Sequence, residues 1–312
     1  MNRQSNDISA SVRQKLLNIS RAKNQEHQLT LTQYAIERLL FRLSMSQYKD
    51  QFVLKGAVLF SIWSEQPHRP TQDLDMLGWG DDSTSRIEQV FRDICDLEVE
   101  DDGIAFQTDS ITVDEIRENQ DYGGNRVLLT AQLGVARISV QVDVGFGDVV
   151  TPEPESIVYP TLLSFSAPHI RAYPRETVVA EKFQAMVSLG MLNSRMKDYY
   201  DLWTLACEFS FDGSILSSAI AHTFSRRQTQ IPQELPLALT KEFSGDAAKQ
   251  KQWSAFLRKG KLQPTNLSLG QVVDFLVEFL TQPTLAAAAH TSFNLVWPPS
   301  GPWLPASSLC SK

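Results

Sequence analysis

The sequence predicts an α+β protein in which helices precede and follow a mixed sheet. Apolar residues recur at three- and four-residue steps over residues 8–45, which indicates two helices. The period then becomes two, as expected of strands, in four segments rich in Val, Ile and Leu: 73–78, 110–117, 126–133 and 137–145. Helical periods return from Glu176 onward. These changes of period favour a sheet layer with helices on one face, followed by a helical domain.

The connecting elements are predicted from local signals along the same chain. A short helix at 56–64 begins at Gly56, and a helix at 83–97 joins the first strand to the others. Residues 151–174 hold five prolines without a clear period, which indicates an ordered connection between two lobes. Beyond it, the predicted helices are 176–190, 194–209, 214–226, 234–259 and 269–281.

These elements divide the chain into two domains and a tail. Residues 1–165 form the sheet domain with its N-terminal helical pair, and residues 166–285 form a helical domain that closes a cleft. Residues 286–312 follow as a tail. Because the tail carries four prolines between positions 298 and 305, we expect it to lie extended over the surface or to be loose.

Composition limits the classes of protein to which this chain can belong. Of its 312 residues, 42% are hydrophobic and 21% are charged, which is typical of globular proteins rather than disordered ones. The three cysteines are scattered and odd in number, which excludes a disulfide framework and a CxxC-type zinc site. The N-terminus lacks the apolar stretch of a signal peptide, and no run approaches about eighteen apolar residues. We therefore expect a cytoplasmic protein without membrane spans.

Charge is distributed unevenly along the chain. The net charge is −7 overall, but residues 72–157 alone carry −15, while residues 1–50 and 170–262 each carry +4. An acidic protein is a poor general binder of nucleic acid. The distribution leaves two explanations open. Either the basic flanks hold a polyanion while the acidic centre binds divalent cations, or the charges only solvate the surface.

Asp73 and Asp75 are the first candidate metal ligands. They stand two residues apart in a predicted strand, so both carboxylates leave the same face. Leu74 and Met76 face the core. Adjacent like charges repel unless a cation neutralises them, and hard divalent ions such as Mg²⁺ prefer carboxylate oxygens. An isolated DxD motif is weak support for metal binding, because acidic pairs at strand ends are common.

Asp143 is the third candidate ligand. Its strand buries one face through Val140, Val142 and Val144. Asp143 therefore points the opposite way, as a single acid among apolar residues that needs a partner. If this strand neighbours the first one, three carboxylates converge on one face and can hold cations for phosphoryl chemistry. The alternative is an acid that caps a turn at the end of the strand.

Lys55 and Gly56 precede these acids and form a candidate anion site. A glycine that opens a helix leaves backbone N–H groups pointing at an anion, and a lysine beside it adds positive charge. Arg69 and Thr71, just before Asp73, could contact the same phosphates. A Lys-Gly pair is common in proteins, and this one gains weight from its position shortly before the acids.

Four separated motifs occur in an order that resembles the AbiEii family of nucleotidyltransferase toxins, also called MenT-type. They are KGAVLF at 55–60, RPTQDLD at 69–75, the apolar-flanked Asp143, and EKFQAMVSLGMLNSRMKDYYDLW at 181–203. The resemblance extends from Ser11 to Trp303 and implies a nucleotidyltransferase-like mixed sheet domain. Gly56-Ala57 departs from the Gly-Ser or Gly-Gly of many superfamily members. That departure removes a hydroxyl and leaves Lys55 and backbone amides to bind the triphosphate.

The resemblance also implies roles in the helical domain. Lys182 shares the apolar stripe of its helix, so it either extends its charge to solvent or meets a buried anion. In the family this lysine faces the nucleotide, and Asp198 matches the acid of the last motif in the active cleft. Asp198 and Asp201 could instead form ordinary surface pairs with Arg195 or Lys197.

The implied function is a toxin that transfers a nucleoside monophosphate from an NTP to RNA, with the tRNA 3′ end as the expected acceptor. The implied metal ligands for Mg²⁺ or Mn²⁺ are Asp73, Asp75 and Asp143, which are also the implied catalytic residues together with Lys182. The implied nucleotide-binding residues are Lys55, Gly56, Arg69, Thr71, Lys182 and Asp198. Growth arrest, opposed by an antitoxin encoded alongside, would serve phage defence. The alternatives are nucleotidylation of a protein or small hydroxyl compound, a magnesium-dependent nuclease, and a nucleotide-binding regulator without catalysis.

Overall fold

The computed structural model describes residues 2–64, 71–119 and 122–309. The chain divides into two compact units, of which the first comprises residues 1–147 and 155–172 and the second comprises residues 148–154 and 173–312. The predicted boundary after residue 165 falls within the first unit, and the short segment 148–154 belongs to the second.

The first unit combines helices with a seven-stranded mixed sheet among its described residues. Its helices are α1 (Asn2–Ala22), α2 (His27–Met45), α3 (Phe60–Trp63) and α4 (Thr84–Cys95). Its strands are β1 (Phe52–Lys55), β2 (Asp73–Gly78), β3 (Ile104–Asn119), β4 (Tyr122–Leu133), β5 (Ala136–Phe146), β6 (Glu155–Val158) and β7 (His169–Ala172). The fold is thus the mixed α and β architecture that the change of period predicts.

The sheet order is β3-β4-β5-β2-β1-β7-β6. The pairs β2–β5 and β1–β7 are parallel, and the other neighbours are antiparallel. Strands β6 and β7 lie in the stretch 151–174, where the sequence shows no clear period. They were missed because four residues are too few to display a period of two.

One face of the central strands forms the core of the first unit. Val140, Val142 and Val144 on β5 are fully buried, as are Leu74 and Met76 on β2. Residues of α2 and α4, among them Leu39, Leu40, Leu43, Phe91 and Ile94, line one small internal cavity together with Leu74 and Met76. Since side chains alternate between the faces of a strand, the residues between these apolar ones project from the opposite face.

The second unit is mainly helical. Its helices are α5 (Arg175–Leu189), α6 (Met196–Glu208), α7 (Gly213–Arg226), α8 (Lys241–Gly245), α9 (Ala247–Gly260) and α10 (Leu269–Ala289). A small sheet of order β10-β9-β8 is formed by β8 (Phe211–Asp212), β9 (Leu295–Trp297) and β10 (Leu304–Pro305).

The single helix predicted at 234–259 is wrong. A 3₁₀ turn at Leu237–Leu239 precedes two separate helices there, α8 and α9. The side chain of Thr240 accepts a hydrogen bond from the backbone N–H of Phe243, and Asp246 accepts one from Lys249. Such caps begin a new helix at each site, because they satisfy N–H groups that a continuous helix would bond internally.

The C-terminal segment is packed against the second unit, where the prolines led us to expect an extended or loose tail. Trp297 is fully buried, and its Nε1 donates to the carbonyl oxygen of Ala206 at 2.7 Å. Trp303 is 7% exposed, and its Nε1 donates to the carbonyl of Phe279 at 3.0 Å. Burial of two large indoles with satisfied N–H groups holds the segment in place despite its prolines.

Helix α10 runs through the core of this unit. Val272, Val273, Leu276, Phe279 and Leu280 are fully buried within it. Within the described ranges, α10 is the one helix long and apolar enough to match a membrane span, and half of that window is buried inside the protein. Such burial is typical of the core helix of a folded domain.

Hydrogen bonds tie the segment 148–154 to the helices of the second unit. Arg227 donates from Nε and Nη2 to Oδ1 of Asp148 at 3.1 and 3.0 Å. The backbone N–H of Thr151 donates to Oγ1 of Thr177 at 2.8 Å. These bonds explain why the segment belongs to the second unit although the strands on either side of it belong to the first.

Candidate active site

Three carboxylates share one face of the central sheet. In the parallel pair β2–β5, Asp75 lies opposite Asp143 and Asp73 lies opposite Gln141. Residues opposite each other in register present their side chains on the same face. Asp73 is exposed, and Asp143 keeps 19% of its side-chain surface. The arrangement is the one expected if the two acidic strands are neighbours.

The acids belong to a row of alternating charge that we call the charged row: Lys55, Asp75, Asp143 and Arg126. Lys55 on β1 is the register partner of Asp75, and Arg126 on β4 is the register partner of Asp143. The row therefore crosses four adjacent strands, with a cation at each end and two acids in the middle.

Asp143 forms a bidentate ion pair with Arg126. Nε of Arg126 donates to Oδ1 at 2.8 Å, and Nη2 donates to Oδ2 at 2.7 Å. Gln141 Nε2 adds longer bonds of 3.3 and 3.2 Å to the two oxygens. The hydrogen bonds to Asp143, together with the charges of Asp73 and Asp75, raise the pKa of Arg126. The partner that Asp143 requires is thus supplied within the sheet, and the acid does not cap a turn.

The three carboxylates suit a hard divalent cation, but the third one, Asp143, is already bonded to Arg126. Asp73 and Asp75 place carboxylate oxygens on one face, and such oxygens are the ligands that Mg²⁺ and Mn²⁺ prefer. Both oxygens of Asp143 are bonded to Arg126. Across the described parts of the chain, no three His, Cys, Asp or Glu side chains form a group that could hold a metal ion.

Gly56 and Lys55 lie beside these acids. Gly56 has a backbone φ of +77°, and a Cβ at this position would overlap the carboxylate of Asp75. Nζ of Lys55 lies 3.2 Å from where a Cβ on Gly145 would stand, so its ammonium group lies over β5. The sequence predicts one helix at 56–64. The structure has a 3₁₀ turn at Gly56–Leu59 followed by the short helix α3, so Gly56 opens a 3₁₀ turn and not an α-helix.

Thr71 lies two residues before the start of β2. Its Oγ1 donates to the carbonyl oxygen of Asp73 at 3.3 Å, so the hydroxyl lies next to the first acid. Arg69, the other residue predicted to contact phosphates before the acids, lies outside the described residues.

Lys182 in the second unit is bonded to two buried acids. Its Nζ donates to Oδ1 of Asp198 at 2.7 Å and to Oδ2 of Asp201 at 2.8 Å. Arg195 Nε donates to the other oxygen of Asp198 at 2.7 Å. Both aspartates are 0% exposed, so this is a buried ion cluster and not the surface arrangement considered as an alternative, and Lys197 is exposed.

Charge within this cluster keeps Asp198 ionised. Burial alone would raise the pKa of its carboxyl, but the positive charges of Lys182 and Arg195 outweigh it and lower the pKa below the ordinary value. Lys182 is 13% exposed at its side chain. The acid of the last motif therefore fixes the position of the lysine ammonium.

The sequence analysis missed Arg126, the residue most closely engaged with the predicted acids. A signal was present in the sequence, because Arg126 is the one charged residue on its face of β4, where Leu128, Thr130 and Gln132 follow it. Asp201 was considered only as an acid of a surface pair with Arg195 or Lys197, yet it binds Lys182 together with Asp198.

A large open cavity lies elsewhere, around α8, α9 and the start of α10. It measures about 1010 Å³, and Trp253, Lys241, Arg258 and Lys261 are among its lining residues. None of the predicted catalytic, metal-binding or nucleotide-binding residues lines it, and Asp274 is the one acidic residue in its lining. Since transfer of a nucleotide needs oxygen donors for a cation, the carboxylates of the sheet define the candidate site instead.

Comparisons with known proteins place the chain in a family. The family model described as nucleotidyl transferase AbiEii toxin, type IV TA system, matches residues 38–279. Among solved structures, JHP933 from Helicobacter pylori is similar with 13% identity and a TM-score of 0.47, covering 85% of this chain and 92% of that chain. A candidate nucleotidyltransferase from H. pylori has 14% identity and a TM-score of 0.46, covering 85% and 95%. No curated protein sequence matches. Because the family model matches most of this chain, the chain belongs to the AbiEii nucleotidyltransferase toxins of type IV toxin–antitoxin systems.

Proposed function

We propose that this toxin transfers a nucleoside monophosphate from an NTP to a hydroxyl group of RNA, with the tRNA 3′ end as acceptor, and thereby arrests growth. The family supplies the reaction class, a nucleotide substrate and a cognate antitoxin as partner. The single observation that supports the proposal best is the register of β2 and β5, with Asp75 opposite Asp143 and Asp73 on the same face. Metal-assisted attack of a hydroxyl group on a phosphate needs carboxylates that converge on one site.

The residues of the sheet divide the chemical work. Asp73 and Asp75 would hold Mg²⁺ or Mn²⁺, which when bound neutralises charge on the triphosphate. Asp143, once released from Arg126, would complete the cation site and orient the attacking hydroxyl or accept its proton at a carboxylate oxygen. Lys55 and the backbone at Gly56 would bind phosphate oxygens and stabilise charge on the leaving pyrophosphate.

The remaining assignments follow the family resemblance. Arg69 and Thr71 are proposed to contact the triphosphate. Lys182 is proposed to bind the nucleotide. Asp198, which the resemblance also assigned to the nucleotide, is fully buried and bonded through both oxygens, so it is proposed to act through Lys182, holding the lysine ammonium in position together with Asp201.

Incubation with each of the four α-³²P-labelled NTPs and total tRNA tests the proposal. We expect label in tRNA with at least one NTP in Mg²⁺ or Mn²⁺, and loss of that label in Asp75→Asn. Asp274→Asn is the matched control, because it removes an exposed carboxylate on α10. Absence of label in RNA with every NTP and both metals would refute transfer to RNA.

The same experiment separates the alternatives. Label in protein or in a small molecule would indicate another acceptor. RNA shortened without added nucleotide would indicate a nuclease. Binding of NTP without any transfer, with growth arrest retained by Asp75→Asn, would indicate a nucleotide-binding regulator.

A further inference from the structure

Arg126 is bonded to Asp143, the third carboxylate that a cation site made of Asp73, Asp75 and Asp143 requires. Its guanidinium bonds both oxygens of Asp143 at 2.7 and 2.8 Å, from the adjacent strand and directly in register. A divalent cation on the same oxygens would place two positive groups against each other. Arg126 in this arrangement therefore opposes the binding of a cation by all three acids.

We propose that Arg126 is a positioning residue that keeps the cation site incomplete until an NTP binds, when the triphosphate takes over the guanidinium and releases Asp143. The inference rests on the proposed use of an NTP and a divalent cation by this site. The planar fork of an arginine matches carboxylate and phosphate equally well, so the exchange of partners preserves its bidentate hydrogen bonds.

The surroundings of Arg126 suit an exchange of partners. The side chain is 39% exposed, against 19% for Asp143, so a ligand can reach the guanidinium from solvent. A buried pair such as Lys182 with Asp198, where the acid is 0% exposed, has no comparable access to solvent. Arg126 is thus held in place by its contacts while remaining accessible to a ligand that approaches the charged face.

The charge of the site explains why such a residue is useful. Asp73, Asp75 and Asp143 face Lys55 and Arg126, so the group carries a net charge of −1. Without Arg126 the net charge would be −2, and a divalent cation would bind readily in the absence of nucleotide. Arg126 therefore makes cation binding depend on nucleotide binding.

Binding of Mn²⁺ to the full chain, measured by the EPR signal of the free ion, tests this coupling without catalysis. We expect Arg126→Gln to bind Mn²⁺ about tenfold more tightly than the wild type when no nucleotide is present. The four α,β-methylene NTPs, added separately and corrected for their own Mn²⁺ binding, should tighten Mn²⁺ binding to the wild type about tenfold. In Arg126→Gln, this gain should fall below about threefold.

Matched variants separate coupling from general structural effects. Arg92→Gln removes an arginine of similar exposure from an ion pair with Glu88 in the same unit, and should behave as the wild type. Arg126→Lys keeps the charge without the fork and should give intermediate affinities. If Arg126→Gln does not remain folded, as judged by its thermal midpoint, Arg126→Lys carries the comparison.

The inference is overturned if folded Arg126→Gln or Arg126→Lys binds Mn²⁺ no more tightly than the wild type without nucleotide. It is also overturned if the analogues tighten Mn²⁺ binding equally in wild type and variant. These readouts are independent of RNA, so a protein that shows the coupling but labels no RNA refutes only the proposed acceptor. A protein that labels RNA without the coupling refutes only the role of Arg126.

Discussion

Gly56 lies directly against the carboxylate of Asp75. Its backbone adopts a positive φ of +77°, and a Cβ there would stand where the carboxylate of Asp75 does. The glycine is thus required twice, once by the backbone conformation and once by the close approach of the acid. Any larger residue would move the side chain that we assign to cation binding.

Gly56→Ala should reduce nucleotide transfer more than tenfold while leaving the protein folded. The alanine displaces the Asp75 carboxylate, and the positive φ adds strain of about 1–2 kcal/mol. Transfer assays and urea unfolding measure the two effects. Gly80→Ala is the control, because Gly80 also has a positive φ of +101° but has nothing within 4 Å of its Cβ position. Equal activity losses in both variants would contradict the role of the Asp75 contact.

Lys182→Met should destabilise the protein by about 3–5 kcal/mol at pH 7, because it removes the ammonium group that bonds the buried Asp198 and Asp201, although Arg195 still pairs with Asp198. The pKa of Asp198 is lowered in the folded protein, so its stabilisation is present above the unfolded pKa and is lost as the pH falls. The loss in Lys182→Met should therefore shrink towards acid pH. Urea unfolding at pH 7 and at about pH 3, below the ordinary Asp pKa of about 3.9, checks this, with the exposed Lys197→Met as control. A pH-independent difference would contradict it.

Glu37 should make the protein less stable as the pH rises from about 4.5 to about 7. Burial raises the pKa of its carboxyl to about 7, although a hydrogen bond from the backbone of Leu162 and the charge of Arg38 oppose the shift. A raised pKa in an acid favours the neutral form in the folded state, so this stability is present at low pH and is lost through pH 7. Relative to Glu37→Gln, the wild type should lose up to about 3 kcal/mol between pH 4.5 and pH 8.

Denaturant unfolding across this pH range measures the effect of Glu37. Glu88→Gln removes a partly exposed glutamate of the same unit, with 40% of its side chain exposed, and should follow the wild type in its pH dependence. A parallel pH dependence in Glu37→Gln and the wild type would show that Glu37 does not titrate in this range.

Trp297→Ala should destabilise the second unit by about 3–5 kcal/mol, because it removes a fully buried indole and its hydrogen bond to Ala206. Trp79→Ala is the matched control, since Trp79 is 39% exposed. It should lower the free energy of unfolding by about 1 kcal/mol or less. Thermal unfolding of both variants checks the prediction. Equal costs would mean that the C-terminal segment does not stabilise its unit.

The strands that carry the acids were predictable because one of their faces is buried. Alternation of Leu74 with Met76, and of the valines on β5, identified β2 to its end residues and β5 to within one residue at each end. The same alternation correctly placed all three acids on the faces opposite the core. Which strands become neighbours was not encoded in this local pattern, so the convergence of the acids was stated only conditionally.

The partner of Asp143 was in fact encoded in the sequence. Leu133 pairs with Ala136 across the turn at Gly134 and Val135, and counting seven residues away from this pair along each strand places Arg126 opposite Asp143. The cluster around Lys182 was not accessible in this way. It depends on how α5 packs against α6, which a helical period does not specify.

The path of the chain has an evolutionary consequence. It leaves the first unit after residue 147, returns to it at 155, and leaves again after 172, while Arg227 anchors the detour at Asp148. No single cut in the polypeptide yields either unit whole. Recombination that exchanges one unit whole must therefore exchange two separate pieces of coding sequence.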